Sequence, residues 1–369
     1  MSELHLNSLE ITNFRCFEHL TIEKLGRVNL IVGKNSVGKT ALLEALWLYA
    51  ANGSPFVIND ILESRDENAY VKLNTKNYDS RDAAYFESLN YLFNKYTFRV
   101  GSGHRIGIGP VQISEAKLEI AIEMFAEQPY PGIPNSWITV GPLRQDEFNT
   151  LSNQHNRITI YKGDKILQSF TADLAKSSGG QIFLFWKFIP ANGLDSKQMS
   201  DLWSSIILFD KRKTVIDALK NIVPTIEELD LIDVDSAPIF IAKLSNTRRI
   251  PVRSLGEGLL RTLGITLALN NAKGGGLLID EFETGLHHGI QADLWRMIFL
   301  LANQLNVQVF ATTHSWDCVE AFQEASAENK DEEAMLIRLQ RKRDGTGIEV
   351  VSYDDRRRDI ATRQGVEVR

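Results

Sequence analysis

A glycine-rich segment at residues 33–40 constrains the fold of this chain more than any other feature. Its sequence is GKNSVGKT, which matches the P-loop pattern G-x-x-x-x-G-K-[ST] at every constrained position. A short apolar run at residues 28–32 precedes the loop, and residues 41–48 follow it without a Gly or Pro. The segment therefore lies between a predicted strand and a predicted helix, which is the setting that a P-loop needs.

The residue types in this loop suit phosphate binding. Gly33 and Gly38 let the backbone turn so that successive amide groups point at phosphate oxygens, and the positive end of the following helix adds attraction. Lys39 is expected to reach the β- and γ-phosphates of ATP, and the hydroxyl of Thr40 is expected to ligate Mg²⁺. The predicted nucleotide-binding segment also includes Asn35, Ser36 and Ala41.

Composition indicates a globular protein. The chain has 369 residues, of which 43% are hydrophobic, enough for one large domain or two. No run approaches the roughly 20 apolar residues of a membrane span, and the first residues lack a signal-peptide pattern, so a cytoplasmic location without membrane contact is expected. Cys16 and Cys318 are far apart in sequence, which supports neither a disulfide framework nor a zinc site, and both are expected to be buried thiols.

The charge distribution argues against non-specific coating of nucleic acid. The net charge is −6, whereas such coating needs a large basic surface. Basic residues do cluster near the end of the chain, at Arg338, 341–343 and 356–358, beside an acidic run at 328–333. We interpret this region as a solvated hairpin and tail, with local contact to DNA as the alternative.

Patterning along the chain predicts an α/β protein with a P-loop core, an antiparallel β lobe and a helical arm or lid. Residues 64–80 are polar and poorly patterned, which indicates a surface insertion or mobile loop. The predicted strands lie at 9–14, 20–22, 105–108, 118–123, 137–140, 157–161, 238–244, 250–252, 277–281 and 307–311, with the first two forming an edge layer that leads into the P-loop strand.

Helical periodicity appears in two places. It follows Pro190, at residues 199–207 and 215–222, and it returns after residue 254. The predicted domains are an ATPase core of residues 1–60 and 236–369, an inserted loop and antiparallel lobe at 61–190, and a helical arm or lid at 191–235.

Two acidic residues end the predicted strand at residues 277–281. Asp280 and Glu281 follow three apolar residues, so they are expected at the carboxyl edge of a buried parallel sheet, where ligands bind in such folds. Beside a P-loop, Asp280 is expected to hold the Mg²⁺ shell. Glu281 is expected to polarise the attacking water.

The order of the remaining motifs resembles a known family. A Ser-x-Gly-Glu segment at Ser254, Gly256 and Glu257 opens a helix before the Asp-Glu pair, and a Thr-His-Ser segment with His314 follows the pair. This order resembles the head domain of ABC-type ATPases of the SMC, RecF and OLD (overcoming lysogenization defect) branch. The residues that favour this branch over transporter ATPases are Asn13-Phe14-Arg15, Asn35 and the segment 283–287.

The resemblance implies roles for further residues. Ser254, Gly256 and Glu257 would contact the γ-phosphate held by the P-loop of a second copy, so hydrolysis would need a head-to-tail homodimer. Residues 284–287 would cross that interface. His314 would sense the γ-phosphate and orient water as a catalytic residue with Glu281 and Lys39, and Arg15 would lie near the nucleotide. The glutamine that begins the lid is left open between Gln198 and Gln145.

The resemblance has limits that shape the functional prediction. The chain has no long coiled coil, and too little sequence follows His314 for the Toprim nuclease domain of OLD proteins, while Asp354 and Asp355 are expected to be solvated. The chain is similar to solitary OLD-like ATPases, also in its last residues, 360–369. That similarity implies a Mg²⁺-dependent ATPase that controls a separate, nuclease-like effector in antiphage defence or DNA surveillance. The alternatives are a RecF-like repair protein whose dimer grips DNA, and a scaffold that only binds nucleotide.

Overall fold

The computed structural model describes residues 3–68, 78–97, 104–129, 137–143, 153–172, 185–220, 222–235, 237–245, 249–329, 334–345 and 347–353. The helices are α1 (Lys39–Ala50), α2 (Pro55–Glu63), α3 (Tyr78–Ser88), α4 (Ser196–Leu208), α5 (Arg212–Lys220), α6 (Glu257–Asn271), α7 (His288–Gln304) and α8 (Trp316–Glu328). The strands are β1 (Leu9–Phe14), β2 (Phe17–Ile22), β3 (Val28–Val32), β4 (Arg105–Gly109), β5 (Leu118–Pro129), β6 (Trp137–Val140), β7 (Gln154–Lys162), β8 (Lys165–Phe170), β9 (Trp186–Ile189), β10 (Ile226–Val234), β11 (Ala237–Leu244), β12 (Arg249–Pro251), β13 (Gly276–Ile279), β14 (Gln308–Thr313), β15 (Ala334–Arg341) and β16 (Ile348–Tyr353).

A mostly parallel sheet forms the centre of the molecule. Its strand order is β16-β15-β3-β14-β13-β9. All neighbours are parallel except the final hairpin of β15 and β16. Every residue of β3, β13 and β14 is buried, as expected for strands that are covered on both faces. The carboxyl ends of the parallel strands meet at one edge, where the loops that follow β3, β9, β13 and β14 come together.

A second, antiparallel sheet has the order β2-β1-β4-β5-β7-β8, with β6 paired to β5. The strands predicted at residues 9–14 and 20–22 are present, but β1 pairs with β4 and β2 pairs with β1, so they belong to this sheet and do not form an edge layer beside the P-loop strand. Conversely, β9 precedes residue 190 and yet lies in the parallel sheet. The predicted boundaries at residues 60 and 190 therefore cut across the two sheets, because strand pairing joins segments that are distant in sequence.

Helix α1 fills the space between the two sheets. Its apolar side chains share a core with β1, β2, β4, β5 and β7 on one side and with Leu278 and Phe310 of the parallel sheet on the other. Helices α7 and α8 cover the opposite face of the parallel sheet, where Trp295 stacks on Phe282 with ring centroids 4.1 Å apart. The helix that carries the phosphate-binding residues is thus held rigidly from two sides.

Helices α4 and α5 pack with α6 and a small sheet of order β10-β11-β12 into a third core. The predicted helices at residues 199–207 and 215–222 are present as α4 and α5, although α5 ends at Lys220, and the predicted arm is not helical throughout, since β10 occupies residues 226–234. Charged pairs across strands favour the sheet here: Glu228 on β10 bonds Lys243 on β11 and Arg249 on β12.

Other expectations have mixed outcomes. Cys318 is buried as expected, but Cys16 is exposed, because the turn between β1 and β2 gives the interior positions to Phe14 and Phe17. Of the proposed insertion at 64–80, residues 69–77 lie outside the described residues, and α3 begins at Tyr78. Asp354, Asp355 and the tail after them also lie outside. Within the described ranges, no helix combines the length and apolar content of a membrane span.

Candidate active site

The P-loop has the backbone conformation that its glycines predict. Gly33 has a φ of +151° and Gly38 has a φ of +94°, values that side chains with a Cβ rarely adopt. A Cβ at Gly38 would lie 2.5 Å from the Sγ of Cys16 and 2.8 Å from the ring of Phe17. Both torsion and space therefore require glycine at this position, where α1 begins. Asn35 and Ser36 are exposed at the turn of the loop, and Ala41 is buried behind it.

The ammonium group of Lys39 lies inside the loop. Its Nζ donates hydrogen bonds to the carbonyl oxygen of Gly33, at 2.7 Å, and to that of Lys34, at 3.2 Å. Burial lowers the pKa of Lys39, while the charges of Glu283, Asp280 and Glu281 act in the opposite direction. A cation is thus held in the concave side of the loop, close to a cluster of carboxylates.

Asp280 is the most strongly held carboxylate at this edge. It is 6% exposed. Its Oδ2 accepts from the hydroxyl of Thr40 at 2.9 Å, and its Oδ1 accepts from the hydroxyl of Thr312 at 2.6 Å. The two predicted Mg²⁺ ligands therefore lie in direct contact.

These oxygens fit a magnesium site of the kind that is completed by substrate. Mg²⁺ is commonly held by one or two carboxylates together with phosphate oxygens and water. Among the described residues no group of three or more His, Cys, Asp or Glu side chains could hold a metal alone. Thr40 and Asp280 thus fit a metal that arrives with a nucleotide, and do not form an independent metal cage.

Glu281 is strained. Its φ is +45°, a left-handed conformation that costs a non-glycine residue about 1–2 kcal/mol. Its amide donates to the hydroxyl of Thr312 at 2.9 Å, and its Oε2 accepts from the hydroxyl of Thr284 at 3.3 Å. Strain at one residue persists only where the surroundings fix it, which is common at functional sites. The turn directs the Glu281 side chain away from the strand while Asp280 stays buried.

His314 follows β14 and is held by Glu283, a residue to which the sequence alone assigned no catalytic role. The Oε1 of Glu283 lies 3.0 Å from Nδ1 of His314 and accepts from the His314 amide at 2.9 Å. The side chain of Glu283 is 11% exposed, and that of His314 is 51% exposed. With Nδ1 engaged, Nε2 is the ring nitrogen left to meet a ligand. The position of Glu283, two residues after Glu281, is the signal that could have identified it.

Replacing Glu283 with Ala should lower kcat because His314 loses both of its contacts to the carboxylate. We expect a reduction of about ten- to a hundredfold, equivalent to the about 1.5–3 kcal/mol that a hydrogen bond to a charged group supplies. Glu283→Gln keeps an acceptor and should lose less. Steady-state phosphate release measures the effect, with Glu87→Ala as the control because Glu87 is exposed on α3. Equal activity of Glu283→Ala and wild type would contradict the role of this pair.

The signature residues lie elsewhere in the same chain. Ser254, Gly256 and Glu257 are exposed at the start of α6. Ser254 lines a cavity of about 450 Å³ between α4 and the small sheet, whereas Thr40 and Asp280 line a cavity of about 780 Å³. One copy of the chain thus brings Thr40 and Asp280 to that cavity, whereas Ser254, Gly256 and Glu257 do not line it.

Arg15 is engaged by carboxylates behind the P-loop helix. Its Nε lies 2.5 Å from Glu44 of α1, and its two terminal nitrogens bond Glu67 at 2.8 and 3.0 Å. Arg15 is 8% exposed, and its guanidinium is paired with these two carboxylates of the same chain. Its predicted contact with a nucleotide stays a prediction.

The lid glutamine also stays open. Gln198 lines the larger cavity with Thr40 and Asp280, although its side chain caps α4 through Asp195. Gln145 lies outside the described residues. Asn192 lies three residues after the end of β9 and lines the same cavity, and its side-chain amide makes this asparagine a third candidate for the role. Only the strand order reveals this candidate, because it places the end of β9 beside that of β13.

Comparison with known proteins gives two family models. Residues 5–178 match a model described as an AAA ATPase domain. Residues 144–317 match one described as an AAA domain, putative AbiEii toxin, type IV TA system. The two matches overlap and together contain the P-loop, the signature, the Asp-Glu pair and His314.

Several named proteins are similar in sequence. An ATP/GTP phosphatase of Helicobacter pylori is 26% identical over 85% of this chain and 86% of its own length. The DNA replication and repair protein RecF of Clostridioides difficile is 37% identical over 18% of this chain, and that of Bacillus subtilis is 31% identical over 19%. These matches span only 19% of each RecF chain.

Among solved structures, an SMC head bound to the C-terminal winged-helix domain of ScpA aligns with 13% identity and a TM-score of 0.48, over 95% of this chain and 97% of that one. The SMC head domain of Thermotoga maritima aligns with 10% identity and a TM-score of 0.44, over 95% and 99%. The sheet order and the positions of the motifs define the fold independently of these alignments. Together with the family models and the sequence relatives, they support an ABC-type ATPase head that is similar to RecF and to the ATP/GTP phosphatase.

Proposed function

We propose that this ATPase is Mg²⁺-dependent, that it hydrolyses ATP between two copies arranged head to tail, and that the resulting cycle controls a separate effector protein. One observation supports this most directly. Thr40 and Asp280 touch each other and line one cavity, whereas Ser254 lines another and Gly256 and Glu257 are exposed at the start of α6. A second copy is the simplest source of a signature for each site.

The exposed start of α6 suits contact with a phosphate held by a partner. Gly256 has a φ of +107°, and a Cβ placed on it would meet nothing within 4 Å, so glycine serves the backbone conformation here rather than packing. No side chain caps this 15-residue helix at Gly256, and the first turn of a helix carries amide groups without intrahelical partners and the positive end of the helix dipole. A γ-phosphate brought by another copy would be stabilised by both.

Different residues of the chain would bind the phosphates and activate the attacking water. Lys39 and the amides of the P-loop would bind the phosphates. The carboxylate of Glu281 would accept a hydrogen bond from the attacking water, and the Nε2 of His314, with its ring fixed by Glu283, would contact the γ-phosphate. Mg²⁺ held by Thr40 and Asp280 would neutralise charge on the β- and γ-phosphates.

Mixing two inactive variants tests the dimer. Lys39→Ala removes the P-loop cation, and Ser254→Arg places a large side chain at the exposed signature. Each variant alone should be nearly inactive, because both sites of its dimer carry the defect. In a mixed dimer, one site has both defects and the other has none. An equimolar mixture should therefore recover about a quarter of the wild-type rate, because half of the dimers are mixed and each has one intact site.

The mixing experiment distinguishes active sites that are shared between two copies from active sites that are complete within one copy. A sum of the two residual rates, with no recovery at any ratio, would contradict composite sites. Full activity of Ser254→Arg alone would show that the signature is not needed. Phosphate release is the measurement, and titration of one variant into the other at fixed total protein provides the matched control.

The effector is proposed to be a separate, nuclease-like protein in antiphage defence or DNA surveillance. The support is the resemblance to solitary OLD-like ATPases, together with the AbiEii toxin in the description of the model matched by residues 144–317. Co-purification of the tagged chain from its host, with and without ATP, tests this proposal. A partner that is enriched only in one nucleotide state is expected, and purification of the chain alone in both states would count against it.

Direct DNA binding by a RecF-like dimer is the second candidate. Arg341 ends β15 and lies beside the P-loop, with a terminal nitrogen 3.5 Å from the carbonyl oxygen of Ser36. Arg341 and Lys342 are exposed, so basic groups are present at the edge where the dimer would form. ATP-dependent binding of the isolated protein to duplex DNA, weakening steeply as salt rises, would favour this candidate over the effector model.

A further inference from the structure

Arg261 lies directly behind the catalytic carboxylates and bonds to the main chain that carries them. It projects from α6, four residues after Glu257, and is 8% exposed. One terminal nitrogen donates to the carbonyl oxygen of Pro190 at 2.9 Å, and the other donates to the carbonyl oxygens of Asp280 and Glu281, at 2.8 and 3.2 Å. A single side chain thus joins α6 to the ends of β9 and β13.

A buried cation at this position is costly and therefore informative. Burial lowers the pKa of Arg261, while the charges of Asp280, Glu283 and Glu281 act in the opposite direction. Its acceptors are main-chain carbonyls, and its Nε is buried without a hydrogen-bond partner among the described residues. An apolar side chain could pack in such a place without this cost. The planar guanidinium instead donates from two terminal nitrogens, so it can hold several carbonyl groups at fixed positions at once.

The strained turn at Glu281 is what these bonds hold. The amide of Glu281 is fixed by Thr312 on β14, and its carbonyl is fixed by Arg261 on α6. The residue is thereby held at both ends in its left-handed conformation, with a φ of +45°. The amide of Thr284 also donates to the Glu281 carbonyl, at 3.0 Å, but this bond lies within the turn itself, so Arg261 is the contact that ties the strained residue to α6.

We propose that Arg261 is a positioning residue that makes the orientation of the Glu281 carboxylate depend on the position of α6. Because α6 begins at the signature, contact of Ser254 and Gly256 with a partner's nucleotide would act through Arg261 on the water-polarising group of the other site. This coupling rests on the proposed head-to-tail function. The positioning of Glu281 by Arg261 within one chain does not depend on that function.

Kinetics of Arg261→Gln and Arg261→Lys test the role. Arg261→Gln should lower kcat about tenfold or more, while the dissociation constant for a non-hydrolysable ATP analogue changes less than about twofold, since no P-loop contact is lost. Arg261→Lys keeps the positive charge but has fewer hydrogen-bond donors in fixed directions, so it should retain part of the kcat that Arg261→Gln loses. The control is Arg296→Gln on α7, which removes an arginine that bonds three carboxylates at the surface and should leave kcat unchanged.

A double-variant cycle distinguishes positioning from a general loss of structure. If Arg261 acts through Glu281, Arg261→Gln should reduce kcat strongly in the wild-type background and hardly at all in a Glu281→Gln background. Equal fold-losses in both backgrounds, or an unchanged kcat in the single variant, would overturn the proposal. Arg261→Lys is measured in the same two backgrounds, so the positioning role can still be rejected if the Gln variant folds poorly.

The dimer is tested separately from this residue. The mixture of Lys39→Ala and Ser254→Arg could recover activity while the effects of the Arg261 and Glu281 substitutions are additive. That result would reject the positioning role of Arg261 and keep the composite site. Conversely, the effects of the Arg261 and Glu281 substitutions could be non-additive while the mixture recovers no activity. That result would keep the positioning role and reject the coupling between copies.

Discussion

Glu281→Gln is expected to reduce ATP hydrolysis by about a hundredfold or more, because general-base assistance typically contributes 10²–10⁴-fold. The substitution removes the negative charge but keeps the size of the side chain. The contacts that hold the turn involve the Glu281 main chain, so its left-handed conformation should persist. ATP binding should be unimpaired, since Lys39 and the P-loop amides are untouched. Phosphate release and equilibrium binding of ATP measure the two quantities independently.

The same variant should accumulate a nucleotide-bound dimer. If hydrolysis is what opens the two copies, a form that binds ATP but cannot cleave it stays closed, and its mass in sizing experiments with ATP should be that of two chains. Glu115→Gln, an exposed carboxylate far along the chain from the site, is the matched control and should behave as wild type. A Glu281→Gln monomer with unreduced turnover would exclude the assigned role of Glu281 and the proposed cycle together.

The positions of the short contiguous motifs relative to the parallel strands could be predicted from the sequence. The residues 33–40, the pair Asp280 and Glu281, and the segment around His314 each follow a buried strand directly. Parallel pairing then brings their ends to one edge, as predicted. The contact of Thr40 with Asp280 follows from this geometry alone. The local sequence pattern and the geometry of parallel strands were sufficient to predict where these residues lie.

The residues that support them could not be predicted in the same way. Thr312, Glu283 and Arg261 act through contacts between elements that are distant in sequence, such as the bond from α6 to the main chain at Asp280. Sheet membership of β1, β2 and β9 depends on the same kind of long-range pairing. The ion pairs of Arg15 with Glu44 and Glu67 also needed the fold, since nothing in the intervening sequence marks Glu67 as a partner.

Lys39→Ala is expected to weaken ATP binding about ten- to a hundredfold, because a hydrogen bond involving a charged group contributes about 1.5–3 kcal/mol. The loss has a second source in this structure. Asp280, Glu281 and Glu283 all act electrostatically on Lys39. Without the ammonium group, these carboxylates face a polyanionic ligand with one fewer compensating charge. Equilibrium binding of a fluorescent ATP analogue, with and without Mg²⁺, measures the change.

The dependence on Mg²⁺ separates the two sources. If repulsion from the carboxylates contributes, Lys39→Ala should lose more affinity without Mg²⁺ than with it, because the metal at Thr40 and Asp280 supplies the missing positive charge. Lys165→Ala, which removes an exposed lysine from the hairpin between β7 and β8, should change neither value. An equal loss in both conditions would leave direct phosphate contact as the whole role of Lys39, and unchanged affinity would show that residues 33–40 do not form the nucleotide site.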